Sequence, residues 1–166
     1  SHWEDFAAKL DEPLGQFINI YRPACFDRVG LRYVNAFSRE QLGLVGRRWN
    51  DLLQPSYLGV LDEDDIDEGS VSKCSVDVER RLDAQSALKL HAGPGFVQRN
   101  VRNGNQVQRV QEKEVRFILD QDVYSTAKVK VAAVPETLNA LHGHADQIFS
   151  DAITTVLHDA MEPEYL

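Results

Sequence analysis

Apolar residues recur at intervals of three and four over the opening stretch of the chain. Trp3, Phe6, Ala7, Leu10, Leu14, Phe17, Ile18 and Tyr21 fall along one side of a helix. Ser1 with Glu4 has the form of a capping box, and Pro13, which has no amide hydrogen, predicts a kink or split near Asp11 or Glu12. After Arg22-Pro23 the period changes. Cys25 to Phe37 is rich in β-branched and aromatic residues, with Val29, Leu31, Tyr33 and Phe37 on one pleat face and Arg28, Arg32 and Val34 on the other, and this predicts a strand. Ser38 and Gln41 make a second capping box, and Leu42, Val45, Trp49, Leu52 and Leu53 predict a helix that ends before Gln54-Pro55.

The second half of the chain alternates more than it spirals. Cys74, Val76 and Val78 alternate with Lys73, Ser75 and Asp77, a turn is available at Asp83-Ala84-Gln85, and Ala87 to Ala92 reads as the return strand with Leu88 and Leu90 inward. Gly93-Pro94-Gly95 reads as a break, and Asn103-Gly104 as a hairpin turn whose polar flanks, Phe96 to Arg102 and Asn105 to Gln111, suggest a mobile excursion. Val115, Phe117 and Leu119 alternate with Arg116, Ile118 and Asp120 in a strand expected to pass Asp122 toward Val131. Pro135 then opens a long amphipathic helix, in which Leu138, Leu141, Ala145, Ile148, Phe149, Ala152, Ile153, Val156, Leu157 and Ala160 keep phase. The order predicts a single α+β domain over residues 1–166: an antiparallel sheet with helices packed on one face and a long C-terminal helix.

Composition narrows the class without naming a function. With 166 residues, 43% apolar and 27% charged, the chain can bury roughly 70% of the surface it exposes when unfolded. A net charge of -8 and scattered basic residues argue against nucleic acid as a partner. Cys25 and Cys74 offer a single possible disulfide and lie in alternating apolar runs, so reduced, buried thiols and a cytoplasmic location are expected. No run of apolar residues approaches the roughly 18 needed to span a bilayer, so no membrane partner is expected. The chain opens at Ser1-His2-Trp3 without a methionine and reads as a processed or engineered piece.

Each constellation with chemical promise has a plainer structural account. His142 and Asp146, at i and i+4, can face one ligand, but His144 projects elsewhere and no third ligand follows, so neither a metal nor a cofactor is expected. The acidic run Asp62 to Gly69 lacks the spacing of a calcium loop and reads as a solvated loop. Neither cysteine has a sequence signature for an activating base, and Gly43 to Gly46 and Gly93 to Gly95 lack the pattern of a phosphate cradle. Asp120 and Asp122 share a pleat face, close enough to hold a divalent ion or to shift each other's protonation. Arg28 and Arg32 share a face as well, so a cross-strand network of arginines and aspartates is an equally simple account.

The segment Phe26-Asp27-Arg28-Val29-Gly30-Leu31-Arg32-Tyr33-Val34-Asn35 resembles the R-[IV]-G-L-R-Y-[IV]-N strand of a sporadically distributed family of uncharacterised prokaryotic proteins. Trp3 and Phe6 are similar to the family's preceding helix, Leu119-Asp120-Gln121-Asp122 to its late L-D-x-D strand, and Leu141-His142 with Phe149 and Ile153-Thr154 to its closing helix. The resemblance implies that this chain is the C-terminal part of a longer protein, and it carries no activity. The motif positions Arg28, Arg32, Tyr33, Asn35, Asp120 and Asp122 form the candidate ligand-binding set, and Gly30 in mid-strand points to a close contact there. With no reaction signature, the expected function is a non-enzymatic binding module. Its expected partner is a second copy or the missing N-terminal half. The alternative is an enzyme or small-ligand binder at the Arg28, Arg32, Asp120 and Asp122 face.

Overall fold

The computed structural model describes residues 2–103 and 106–161. It opens with α1 (His2–Tyr21), one uninterrupted helix with Pro13 inside it. The helix stops at Arg22, which takes a left-handed φ of 46° and donates its amide to the Ile18 carbonyl at 2.8 Å. Ser1, the predicted cap, lies outside the described residues.

The predicted first strand divides into β1 (Cys25–Phe26) and β2 (Gly30–Phe37). Then come β3 (Val76–Arg81), β4 (Ser86–Asn103), β5 (Gln106–Ser125) and β6 (Val129–Lys130). Two helices close the chain, α2 (Val134–Ala152) and α3 (Thr155–Ala160). The main sheet is antiparallel throughout, in the order β2-β5-β4-β3, and β1 pairs with β6 in a two-stranded annex. The α+β architecture is the one the residue pattern predicts.

Strand alternation gives the sheet two unlike faces. Leu31 and Phe37 of β2, Leu88, Leu90 and Ala92 of β4, and Phe117, Leu119 and Val123 of β5 all turn inward and are buried. Leu141, Ala145, Ile148 and Ala152 of α2 cover them, and Phe37 meets Phe149 with ring centroids 6.1 Å apart. The opposite face carries charge.

Several expectations change. The helix predicted from Ser38 to Leu53 is a run of turns followed by a 3-10 turn at Trp49–Asp51, because Gly43 and Gly46 take left-handed φ of 68° and 88°. Trp49, Leu52 and Leu53 still reach the core and are buried, with Trp49 tilted against Phe117, whereas Val45 is exposed. The closing helix breaks at Ile153, whose extended backbone bridges Leu53, while the Thr154 amide donates to the Leu52 carbonyl at 2.9 Å. Thr154 then caps α3, its hydroxyl accepting from the Leu157 amide.

Nor does Gly93-Pro94-Gly95 end its strand. β4 runs through it, paired with Ile118, Phe117 and Arg116. A Cβ on Gly93 would stand 2.5 Å from the Cys74 carbonyl oxygen, so the glycine lets that neighbouring backbone come close. Pro94 lies past the last β3 pair, Val76 with Ala92, where β4 has become an edge and proline is tolerated. Beyond a register shift between Phe96 and Gln98, the polar stretch read as a mobile excursion forms a two-stranded ribbon reaching the pair Asn103 and Gln106. The predicted turn residue Gly104 lies outside the described residues.

The acidic loop is exposed, as a solvated run would be, at Glu63, Asp64, Asp65 and Asp67, and its backbone is tied to the body. Its carbonyls at Glu63, Asp64 and Ile66 accept hydrogen bonds from the Arg48 guanidinium, and Asp67 caps Gly69. Glu68 accepts from the Trp49 amide and pairs at 2.9 Å with Arg39, which lies 4.0 Å over the Trp49 ring. An internal arginine thus fills the place that a calcium reading would give to a cation.

Candidate functional site

The six residues singled out from the sequence separate onto the two faces of the main sheet. Arg28, Arg32, Asp120 and Asp122 occupy the outer face, and Tyr33 and Asn35 the inner one, because β2 and β5 alternate in register with Tyr33 opposite Gln121.

On the outer face the charges are matched. Arg28 Nη2 donates to both oxygens of Asp122 at 2.8 and 2.7 Å, and Arg32 forks onto Asp120, its Nε donating at 2.8 Å. The hydrogen bonds from Arg32 hold the Asp120 carboxyl below the usual carboxylate range, outweighing its partial burial. The ladder continues across the sheet: His91 Nδ1 lies 2.7 Å from Asp77, and Lys89 lies 3.5 Å from Glu79, which also accepts from the Tyr124 hydroxyl. Arg28 crosses Gly30 to lie 4.4 Å over the Tyr124 ring, and a Cβ on Gly30 would come within 2.9 Å of its guanidinium. The close contact expected at this glycine is therefore made by the chain's own arginine. Between Arg32, Lys89, His91 and the two aspartates the surface dips into a shallow open depression.

The inner face has a second, smaller feature. Tyr33, Asn35 and Gln121 from the sheet and His142, Asp146 and Phe149 from α2 line a cleft of about 130 Å3. His142 and Asp146 share it because i and i+4 lie on one helix face, while His144 turns away to Asp83 at 2.8 Å. The Tyr33 hydroxyl is 3.1 Å from His142 Nδ1, and burial, then the nearby Asp146, push the Tyr33 phenol above its ordinary range. Trp3 of α1 stacks on the His142 ring at 4.3 Å and donates its indole N–H to Asn139 at 3.1 Å.

Gln121 and the part played by Trp3 were missed from the sequence. The signal for Gln121 was present: alternation with Leu119 and Val123 turns this polar residue toward the core. No local pattern pairs Trp3 with His142.

No family model, curated protein or solved structure matches this chain. Among the described residues, no three His, Cys, Asp or Glu side chains gather as a metal site would require, and no helix is long and apolar enough to cross a membrane. Cys25 and Cys74 are unbonded to one another and half-buried rather than buried, and the Cys74 thiol donates to the Leu58 carbonyl at 3.3 Å.

Proposed function

We propose that this protein is a non-enzymatic binding module that pairs with a second copy of itself through α1. One observation carries the reading: α1 has an apolar side that the described residues leave largely exposed. Phe6, Phe17, Ile20 and Tyr21 share one side of the helix and are 50%, 42%, 72% and 69% exposed. The helix is pinned to the body near its ends, by Trp3 on His142 and by Phe17 against Phe26 at 6.0 Å. An exposed apolar stripe bounded by charge is what a protein contact requires.

Charge favours a second copy as the occupant. Asp5 lies in the first turn of α1 and exposed Arg22 just beyond its last, so two antiparallel copies around a two-fold axis near Pro13 set each Asp5 beside the partner's Arg22. The other reading, a ligand site at Arg28, Arg32, Asp120 and Asp122, has less in its favour because each carboxylate is already held by an arginine.

Light scattering on the intact chain across a concentration series tests the proposal. The wild type is expected to move from monomer to dimer. Ile20→Asp, with unchanged circular dichroism, should raise the dissociation constant by about 100-fold or more, since each copy loses roughly 1.5–3 kcal/mol of apolar burial. A wild type that stays monomeric at its highest attainable concentration overturns it.

A further inference from the structure

Past the body of the main sheet, β4 and β5 run on as a pair with no third strand. β3 reaches only to Ala92 and β2 only to Phe117, and beyond the register shift the ribbon spans six pairs, from Gln98 with Gln111 to Asn103 with Gln106. At about 3.3 Å per residue it is roughly 17 Å long. Residues 98–111 hold three arginines, seven asparagines or glutamines and no carboxylate, in a chain whose net charge is -8. The ribbon therefore differs in charge from the molecule that carries it.

Antiparallel pairing puts opposed residues on one face. Gln98, Asn100 and Arg102 of β4 share a face with Val107, Arg109 and Gln111 of β5, and all six are exposed. Arg109 stands opposite Asn100 and on the diagonal from Arg102, about 7–8 Å away. Arg28, Arg32, Arg39 and Arg116 are each held by a carboxylate, whereas Arg102 and Arg109 pair with none among the described residues. The acids at the foot of the ribbon, Glu112 and Glu114, are both taken up by Arg116, at 2.6 and 3.5 Å. Unpaired guanidiniums set among side-chain amides suit a polyanion whose edges also accept and donate hydrogen bonds, and nucleic acid is that polyanion.

Shape chooses among nucleic acids. The major groove of B-form DNA, about 12 Å wide, admits a two-stranded β-ribbon. The major groove of an RNA duplex is too narrow for side chains to read, and single strands are held by stacking on aromatic rings, of which residues 98–111 have none. We infer that the ribbon of β4 and β5 binds duplex DNA in the major groove, through Arg102 and Arg109 on its exposed polar face. The expectation against nucleic acid rested on net charge and on the scatter of basic residues along the chain. Strand pairing brings two of those residues together, and acidic groups more than about 10 Å away are largely screened in 0.1 M salt. The ribbon is a different element from α1, and its binding does not depend on self-association.

The test is fluorescence anisotropy of a short, labelled DNA duplex of mixed sequence, titrated with the intact chain at salt concentrations from about 50 to 200 mM. Saturable binding is expected at the low-salt end, with a dissociation constant of about 100 µM or tighter, the weak end of non-specific DNA binding. Single-stranded DNA of the same length, duplex RNA and polyglutamate are the comparisons, the last standing for an acidic protein partner. Each should bind more weakly than duplex DNA. Arg102→Gln and Arg109→Gln, at exposed positions that leave circular dichroism unchanged, should each weaken duplex binding by about fivefold or more and lower the slope of log affinity against log salt by about one. Arg81→Gln, an equal loss of charge at an exposed position in β3, is the control and should leave binding unchanged. No saturable binding to the duplex overturns the assignment. So does equal or tighter binding of polyglutamate, single-stranded DNA or duplex RNA, or affinities in Arg102→Gln and Arg109→Gln that match Arg81→Gln.

Discussion

Gly93 shows how much a single atom can decide. Its missing Cβ would meet backbone, the Cys74 carbonyl oxygen at 2.5 Å and Ser75 Cα at 3.1 Å, and neither can rotate away as a side chain could. Gly93→Ala is therefore expected to lower stability by about 1–3 kcal/mol, the usual cost of overpacking, measured as a drop in the denaturant midpoint. The same change at Gly15 or Gly143, where a Cβ meets nothing within 4 Å, serves as the control and should be neutral or stabilising. Asp120 makes a different residue-scale prediction, because its folded-state carboxyl is depressed by Arg32. Its stabilising contribution is complete above the ordinary aspartate value of about 3.9 and is lost as the pH falls through the lower folded value. Chemical denaturation from pH 6 to pH 2 should show a shallower acid slope in Asp120→Asn. At neutral pH that variant should lose only about 0.5 kcal/mol, because Arg32 is largely exposed.

At the scale of elements, the residue pattern was most reliable where burial follows a fixed period. The inward sets of β2, β4 and β5 and the buried stripe of α2 could all be read from the chain, because a face that packs a core must alternate or spiral in phase. The arginine and aspartate pairs were legible too, as two sets of opposite sign, Arg28 with Arg32 and Asp120 with Asp122, each sharing one face of an alternating run. Interruptions were not legible. Ser38 to Leu53 carries a helical apolar spacing, yet its glycines turn left-handed, and Trp49, Leu52 and Leu53 reach the core from turns instead. Ile153 keeps helical phase but is drawn into a bridge with Leu53, a distant partner that no local window contains. The cleft stayed hidden for the same reason: its floor comes from β5, its walls from β2 and α2, and its backing ring from α1. A break such as Gly93-Pro94-Gly95 misleads in the opposite direction, since a proline on an unpaired edge costs the ladder nothing.

For the molecule as a whole, one consequence follows from the order β2-β5-β4-β3. Between Phe117 and Tyr124, β5 is bonded along both flanks, to β2 on one side and β4 on the other, whereas β2 and β3 each have a neighbour on one side only. Fraying begins at margins, so this short interior stretch should surrender its amide protons last. Native-state hydrogen exchange is expected to place the slowest amides there, and protection peaking in β3 instead would contradict it. Asp120, Gln121 and Asp122 all sit on that stretch. The anchor points of the charged ladder and the floor of the cleft would then outlast the strands and helix around them, so a partly opened molecule keeps the template on which both are rebuilt.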